Sequence, residues 1–308
     1  MEVIRLSLFL YLAAQALSRP TYESTSEYDG EAALDRTVFG VIEAANKNNT
    51  LLKEGDIADE LSRSARRCTT CMWKKSKGIV KVPFTIAPDQ YSPSTVSLIH
   101  DALKEFEVMT CVQFVNRSTE SDFLYIKSGA GCWSYIGRTM GQQVLSLANT
   151  SCMVYGVIQH EAMHNLGFFH EHTRIDRDNY INILWENIAK GYKGTFDIND
   201  RNTLNLPYDY NSVMHYPKNT YSKSPSLATM VPKPDSTVPI GQRSGLSSLD
   251  VRKINTLYSC NLCRMKLLNP SGSLSGNGSS VNQRGGNCLW LIQIRTNKYL
   301  ENEEPINL

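Results

Sequence analysis

Residues 160 to 170 read His-Glu-Ala-Met-His-Asn-Leu-Gly-Phe-Phe-His, three imidazoles and one carboxylate at the spacing a catalytic zinc uses. On a helix over Ile158 to Leu166, His160 and His164 fall four residues apart and stack on one face. Their ring nitrogens can then address one ion at ~2.0–2.1 Å. Glu161 lies about a third of a turn further round. It is therefore placed to take a proton from water at the metal, not to be the next ligand. Gly167 stands where the helix must end, because glycine accepts the left-handed backbone that terminates helices. The chain then turns, and His170 can approach the ion from outside the helix. Three protein ligands leave one position for water, as in catalytic rather than structural zinc sites.

Such a site needs elements that hold distant segments together, and the flanking sequence supplies them. Gly78 to Ile86 alternates with β-branched residues and reads as a strand. Val96, Ile99, Leu103 and Phe106 recur every three to four residues, which predicts an amphipathic helix over Ser94 to Val108 with Ser94 as its N-cap. Val112–Val115 and Phe123–Lys127 are short strands, and Trp133–Ile136 and Gln143–Leu147 alternate as a pair across a glycine-containing turn. The zinc helix follows. This order predicts an α+β lobe with the active-site helix packed under a sheet. Residues 172 to 260 are rich in Pro, Asn, Asp and Ser and predict a loop-rich second lobe, closed by a helix that a Ser247–Asp250 capping box opens and that runs to about Tyr258.

The first 18 residues combine Arg5, an apolar run and small residues at Ala16 and Ser18, a secretory signal peptide with cleavage expected before Arg19. No later run is apolar enough to span a bilayer, so no membrane anchor is expected. Eight cysteines suit an oxidising compartment, and sequons at Asn48, Asn116, Asn149 and Asn277 suit the same route. A formal charge of +2 gives no reason to expect nucleic acid or an anionic membrane as partner. Residues 19 to 63 are polar and end near the basic Arg63-Ser-Ala-Arg66-Arg67, a propeptide with a site for an activating protease. Cys68 and Cys71 form a Cys-x-x-Cys pair, read as a local structural disulfide, with redox chemistry or zinc as the alternatives.

The stretch from His160 through Arg174-Ile-Asp-Arg-Asp178 and Tyr180 resembles the extended zinc motif of the astacin family of metzincin metalloproteases. Tyr208-Asp-Tyr-Asn-Ser-Val-Met-His-Tyr216 resembles that family's Met-turn, and Gly241-Gln-Arg243 and Asp250 through Cys260 resemble its closing segment. The resemblance implies a two-lobed catalytic domain over 64–260 with a five-stranded-type sheet. It implies one Zn2+ per subunit held by His160, His164 and His170, Glu161 as general base and Met214 as the floor of the site. Tyr216 would be a fifth, weak ligand that swings to hydrogen-bond the developing oxyanion. A phenol with a pKa near ~10 stays a donor at neutral pH, which suits that task.

Further expectations rest on the same resemblance. Glu171 would bind the mature N-terminus, and Cys132 to Gly137 would be the edge strand along which an extended protein or peptide substrate lies. Leu52-Lys-Glu-Gly-Asp56 resembles the propeptide motif in which an aspartate takes the place of the water on zinc, with Gly55 allowing close backbone approach. Lys53 departs from the large apolar residue usual there. A cut after Arg63 leaves the small residues Ser64-Ala65 at the new N-terminus, as in the family, and is favoured over a cut after Arg67. The pairings Cys111–Cys260 and Cys132–Cys152 are implied as well. The extra cysteines at Cys68–Cys71 look like the hatching-enzyme branch, which digests egg envelopes. Cys263 to Ile292 looks like the opening of a CUB domain, with Cys263 paired to Cys288 and only part of that fold present over 263–308. The expected function is therefore that of a secreted zinc endopeptidase made as a zymogen. A digestive or matrix-processing protease and a non-catalytic adhesion or recognition protein are the alternatives.

Overall fold

The computed structural model describes residues 38–47, 49–58, 71–200, 202–242 and 244–260, and the backbone of 264–267 and 289–292. The signal peptide, Asn48, the cuts at Arg63 and Arg67, Cys68, Asn277 and the Cys263–Cys288 pair lie outside these residues.

The described chain opens with helix α1 (Val38–Asn46), followed by two-residue strands β1 (Leu52–Lys53) and β2 (Ile57–Ala58). These pair antiparallel, Lys53 opposite Ile57, so Glu54-Gly55-Asp56 forms the tip of a tight hairpin. Next come β3 (Lys75–Ser76) and β4 (Ile79–Ile86). Lys77 and Gly78 between them both take positive φ, the two-residue turn that matches strand twist. Gly78 therefore belongs to the turn, and the expected strand begins one residue later.

Helix α2 (Pro93–Met109) buries Ile99, Ala102, Leu103, Phe106 and Met109. Its N-cap is Ser92, whose hydroxyl accepts from the Thr95 backbone N–H, and not the expected Ser94. Pro93 explains the shift: its missing N–H and fixed φ suit the first helical position, so the cap falls one residue before it. Strands β5 (Val112–Asn116), β6 (Phe123–Lys127), β7 (Cys132–Tyr135) and β8 (Gln142–Leu147) follow, then helix α3 (Tyr155–Asn165).

The main sheet has the order β1-β2-β7-β8-β6-β4-β3, with β5 also paired to β4. Its five longer strands, β4 to β8, are the expected sheet, and three two-residue strands extend it to eight. Two of the additions come from the segment read as propeptide, where short polar runs carry too little alternation to register as strands. β4 pairs β5 and β6 in parallel, β6 pairs β8 in parallel, and β7 pairs β8 antiparallel. Val80, Val82 and Phe84 of β4 and Leu124 and Ile126 of β6 are buried with the apolar face of α2 and with α3 in one core.

Beyond α3 the chain is mostly turns, with the antiparallel pair β9 (Ile181–Ile183) and β10 (Met230–Pro232), and helix α4 (Ser248–Leu257). The Ser247–Asp250 capping box is present at its start. Disulfides Cys111–Cys260 and Cys132–Cys152 tie the end of α4 to β5 and the start of β7 to the loop before α3. Cys71 is also disulfide-bonded. A last parallel pair, β11 (Arg264–Leu267) and β12 (Leu289–Ile292), lies in the tail. Among the described residues, no helix is long and apolar enough to cross a membrane.

Candidate metal centre

Helix α3 is buried from Gly156 to Asn165, so its histidines sit in the interior by construction. It starts one turn earlier than the periodicity suggests, because a helix buried on every side has no stripe to mark its beginning. It ends as glycine dictates. Gly167 has φ +105, its N–H reaches the His164 carbonyl at 2.8 Å, and the Phe168 N–H reaches the Met163 carbonyl at 3.2 Å. These two bonds are a Schellman cap, and they bring the Phe168 carbonyl back over the helix.

The three histidines each use Nδ1 on a protein acceptor. His160 donates to the Val213 carbonyl at 2.8 Å, His164 to the Phe168 carbonyl at 2.7 Å, and His170 to the Glu54 carboxylate at 2.7 Å. An imidazole that donates through Nδ1 has a bare lone pair at Nε2 when neutral. All three Nε2 atoms converge on the Asp56 carboxylate, at 2.9 Å for His160, 3.5 Å for His164 and 3.2 Å for His170. The four groups are buried, and their ligand atoms lie within 4.8 Å of one another. The Nε2 of His170 is 3.3 Å from that of His160, while His164 Nε2 and Asp56 Oδ1 have no hydrogen-bond partner. Three imidazole nitrogens and a carboxylate brought this close, two of their atoms without a hydrogen-bond partner, are a donor set for a divalent cation, and nitrogen with one oxygen suits zinc.

The electrostatics agree. Burial opposes ionisation of Asp56, yet His170, His164 and His160 together hold its carboxyl well below the usual carboxylate range. Burial also opposes charge on His170, but Asp56 and Glu54 outweigh it and lift the imidazole to about 9. His164 lacks that second carboxylate, and burial takes it down to about 4. A bound dication would replace this proton balance with its own charge.

Glu161 is buried with both carboxylate oxygens unpartnered. Burial first, and the Asp56 charge second, push its carboxyl well above the ordinary value. Met214 is buried, and its carbonyl accepts the Glu171 N–H at 3.0 Å. Asp250 at the head of α4 holds this turn by accepting the Ser212 hydroxyl at 2.6 Å and the Val213 N–H at 2.8 Å. The Val213 carbonyl in turn receives His160, so the closing helix supports that histidine through this turn.

Tyr216 is fully buried. Its hydroxyl donates to the Glu54 carbonyl, and its ring lies between His172 and Phe39, with centroids 3.7 and 3.8 Å away. Burial raises its pKa well above the free phenol value, so it remains a donor. Phe39 of α1 also packs edge-on to His170 and reaches Gly55. Gly55 has φ +85, and a Cβ there would lie 1.9 Å from the Tyr221 hydroxyl, so only glycine fits.

The expected substrate edge is covered. β2 pairs parallel to β7, Ile57 opposite Ser134 and Ala58 opposite Tyr135, and the Ser134 N–H donates to the Asp56 carbonyl at 3.0 Å. Glu171 faces a small cavity lined by Met163, Phe168, Asp200, Met214 and Lys253. Its carboxylate accepts from Lys253 Nζ at 2.5 Å, Arg174 Nη1 at 3.1 Å and the Asp209 N–H at 2.8 Å. Glu54, Asn199, His172 and Phe39 all reach the site unforeseen. Asn199 and Phe39 carry no spacing signal, since each arrives from a separate turn or helix, while Glu54 and His172 stand two residues from Asp56 and His170 within the motifs already quoted.

Residues 67–259 match the model of the astacin peptidase family, and the chain belongs to that family as a zinc metalloendopeptidase. It is 45% identical over 279 residues to the astacin-like metalloendopeptidase of Gallus gallus, covering 89% of this chain and 67% of that protein. It is 42% identical over 264 residues to high choriolytic enzyme 1 of Oryzias latipes, covering 83% of this chain and 96% of that one. The solved structure of that choriolytic enzyme, a hatching-enzyme zinc protease, has a TM-score of 0.60 at 46% identity, over 62% of this chain and 95% of that chain.

Proposed function

We propose that the structure is the latent form of a secreted endopeptidase, in which His160, His164 and His170 hold zinc and Asp56 occupies the position that water takes after activation. The convergence of three Nε2 atoms on the Asp56 carboxylate carries this reading. Zinc, when bound, supplies a Lewis acid and lowers the pKa of water to about 7.

The remaining steps belong to the chain itself. Glu161 accepts a proton from the attacking water and passes it to the leaving amine nitrogen, a task suited to a carboxyl that burial has made more basic. Tyr216 donates to the substrate oxygen as negative charge develops there. In the latent form that donor is spent on the Glu54 carbonyl. Removal of the propeptide, by a cut after Arg63 or Arg67, frees the phenol, the metal position and the β7 edge together. An extended substrate then lies along Cys132 to Gly137, and the new N-terminus docks in the cavity beside Glu171. The tail from Cys263 is a CUB-like segment on this reading.

Egg-envelope protein is the substrate class we favour, supported by the choriolytic relatives and by Cys68 and Cys71 ahead of Trp73-Lys-Lys75. The test is trypsin activation followed by incubation with isolated egg envelopes, collagen and casein. Chelator-sensitive solubilisation of envelopes, restored by zinc, is expected. Preferential cleavage of collagen would move the enzyme to matrix processing, and no cleavage of any substrate would return it to a recognition protein.

A further inference from the structure

Asp56 is not the propeptide's only carboxylate at this cluster. Glu54, two residues earlier, is buried and lies in the same hairpin tip. Side chains two apart in a strand share a face, but here the chain reverses between them. Glu54 has φ +49 and Gly55 φ +85, and this pair of left-handed residues turns both carboxylates towards the histidines from different sides. Asp56 meets the Nε2 atoms. Glu54 meets the opposite edge of one ring, with Oε2 2.7 Å from His170 Nδ1. Its other oxygen accepts from Asn199 Nδ2 at 2.7 Å, so the carboxylate is clamped at both ends.

The three histidines differ in what holds them. His160 and His164 rest on the carbonyls of Val213 and Phe168, which remain after cleavage. Only His170, of the three, takes its Nδ1 acceptor from the segment that cleavage removes. An acceptor at that position fixes the tautomer and ring plane of a metal-binding histidine and raises its ligand strength, and a carboxylate does so most strongly. Burying a carboxylate and holding a non-glycine residue at positive φ are both costly, which a chance contact would not sustain.

We infer that Glu54 is a positioning residue for the metal: it orients His170, and together with Asp56 it makes the uncleaved chain hold zinc more tightly than the mature enzyme does. This rests on the zinc-ligand reading above and adds a second function to the propeptide, retention of the metal before activation.

The test uses the uncleaved chain, wild type and Glu54→Gln, each loaded with zinc and titrated with a chromophoric chelator. Asp56 is intact in both. Glutamine offers one acceptor where His170 and Asn199 need two, so zinc affinity is expected to fall roughly 10–100-fold. The visible spectrum of the cobalt-substituted uncleaved chain should shift, a change that loosening elsewhere would not produce. Trypsin activation then removes residue 54 and releases the same mature polypeptide from both, so equal activity reports that the variant chain was folded. Asn199→Ala is the second variant. It frees the far oxygen of Glu54 and should weaken zinc in the uncleaved form while leaving mature-enzyme affinity unchanged. If Glu54→Gln fails to fold, this variant decides. Zinc affinity within about twofold of wild type, with an unshifted cobalt spectrum, would overturn the role of Glu54. Failure of the wild-type uncleaved chain to take up zinc at all would instead overturn the ligand assignment.

Discussion

Replacement of Asp56 by alanine should release activity from the uncleaved chain, and the structure sets the scale. The Asp56 carboxylate is fully buried and within 2.9 to 3.5 Å of three Nε2 atoms. Removing one partner of such a buried charged cluster costs about 3–5 kcal/mol. At about 1.4 kcal/mol per tenfold, the docked propeptide is weakened by roughly two to three and a half orders of magnitude. It is not released outright. The Asp56 carbonyl still accepts from the Ser134 N–H, the Asn46 side chain still donates to the Cys132 carbonyl at 2.5 Å and accepts from the Cys132 N–H at 2.8 Å, and Tyr216 still donates to the Glu54 carbonyl. Activity should therefore rise well above the silent wild-type chain and stay below that of the mature enzyme, because substrate must displace β2 from β7. The assay is hydrolysis of a quenched fluorescent peptide by uncleaved chains in which Arg63, Arg66 and Arg67 are also alanine, so that no processing contributes. A folded, zinc-loaded Asp56→Ala chain as silent as its parent would refute the switch.

Three further outcomes follow from the same geometry. Glu161→Gln should retain zinc at one per chain while casein hydrolysis falls by roughly 10²–10⁴, and undiminished hydrolysis would remove Glu161 as the base. Tyr216→Phe should lower kcat by roughly 10²–10³ with little change in KM, as for loss of a donor to a developing oxyanion; a change in KM alone would assign it to substrate binding instead. Asp200 is half-buried, and burial raises its carboxyl to about 6. A raised carboxyl keeps its proton in the folded state after the unfolded chain has lost it, so its contribution to stability is full below about 4 and is lost as pH rises to about 6. Urea midpoints of wild type should therefore fall across that window relative to Asp200→Asn, and parallel pH profiles would show that Asp200 is not responsible.

The fold was legible in its longer elements for a local reason. β4 to β8 alternate and α2 carries an apolar stripe, and both patterns arise within one element, whatever lies beside it. Helix α3 shows the limit of that reading. It is buried all round, so its spacing of His160 and His164 was visible while its start was not. The hairpin of β1 and β2 left no pattern either, because four strand residues bury too little to impose one. Its position on β7 is a register between residues about 77 apart in the chain, Ile57 and Ser134.

What the sequence determined by itself was the chemistry: three imidazoles, a carboxylate one residue past the first and a glycine to end the helix make a zinc site wherever they fold. The family resemblance added the downstream tyrosine and the upstream aspartate as candidates. Only the tertiary structure decided what surrounds that chemistry. It set Asp56 against the three Nε2 atoms, Glu54 behind His170, and Tyr216 between His172 and Phe39 with its hydroxyl on the Glu54 carbonyl. Most of these contacts join residues more than a hundred positions apart through single hydrogen bonds and ring faces. Such contacts depend on how separate elements pack, and packing leaves no periodic trace in the order of residues along the chain.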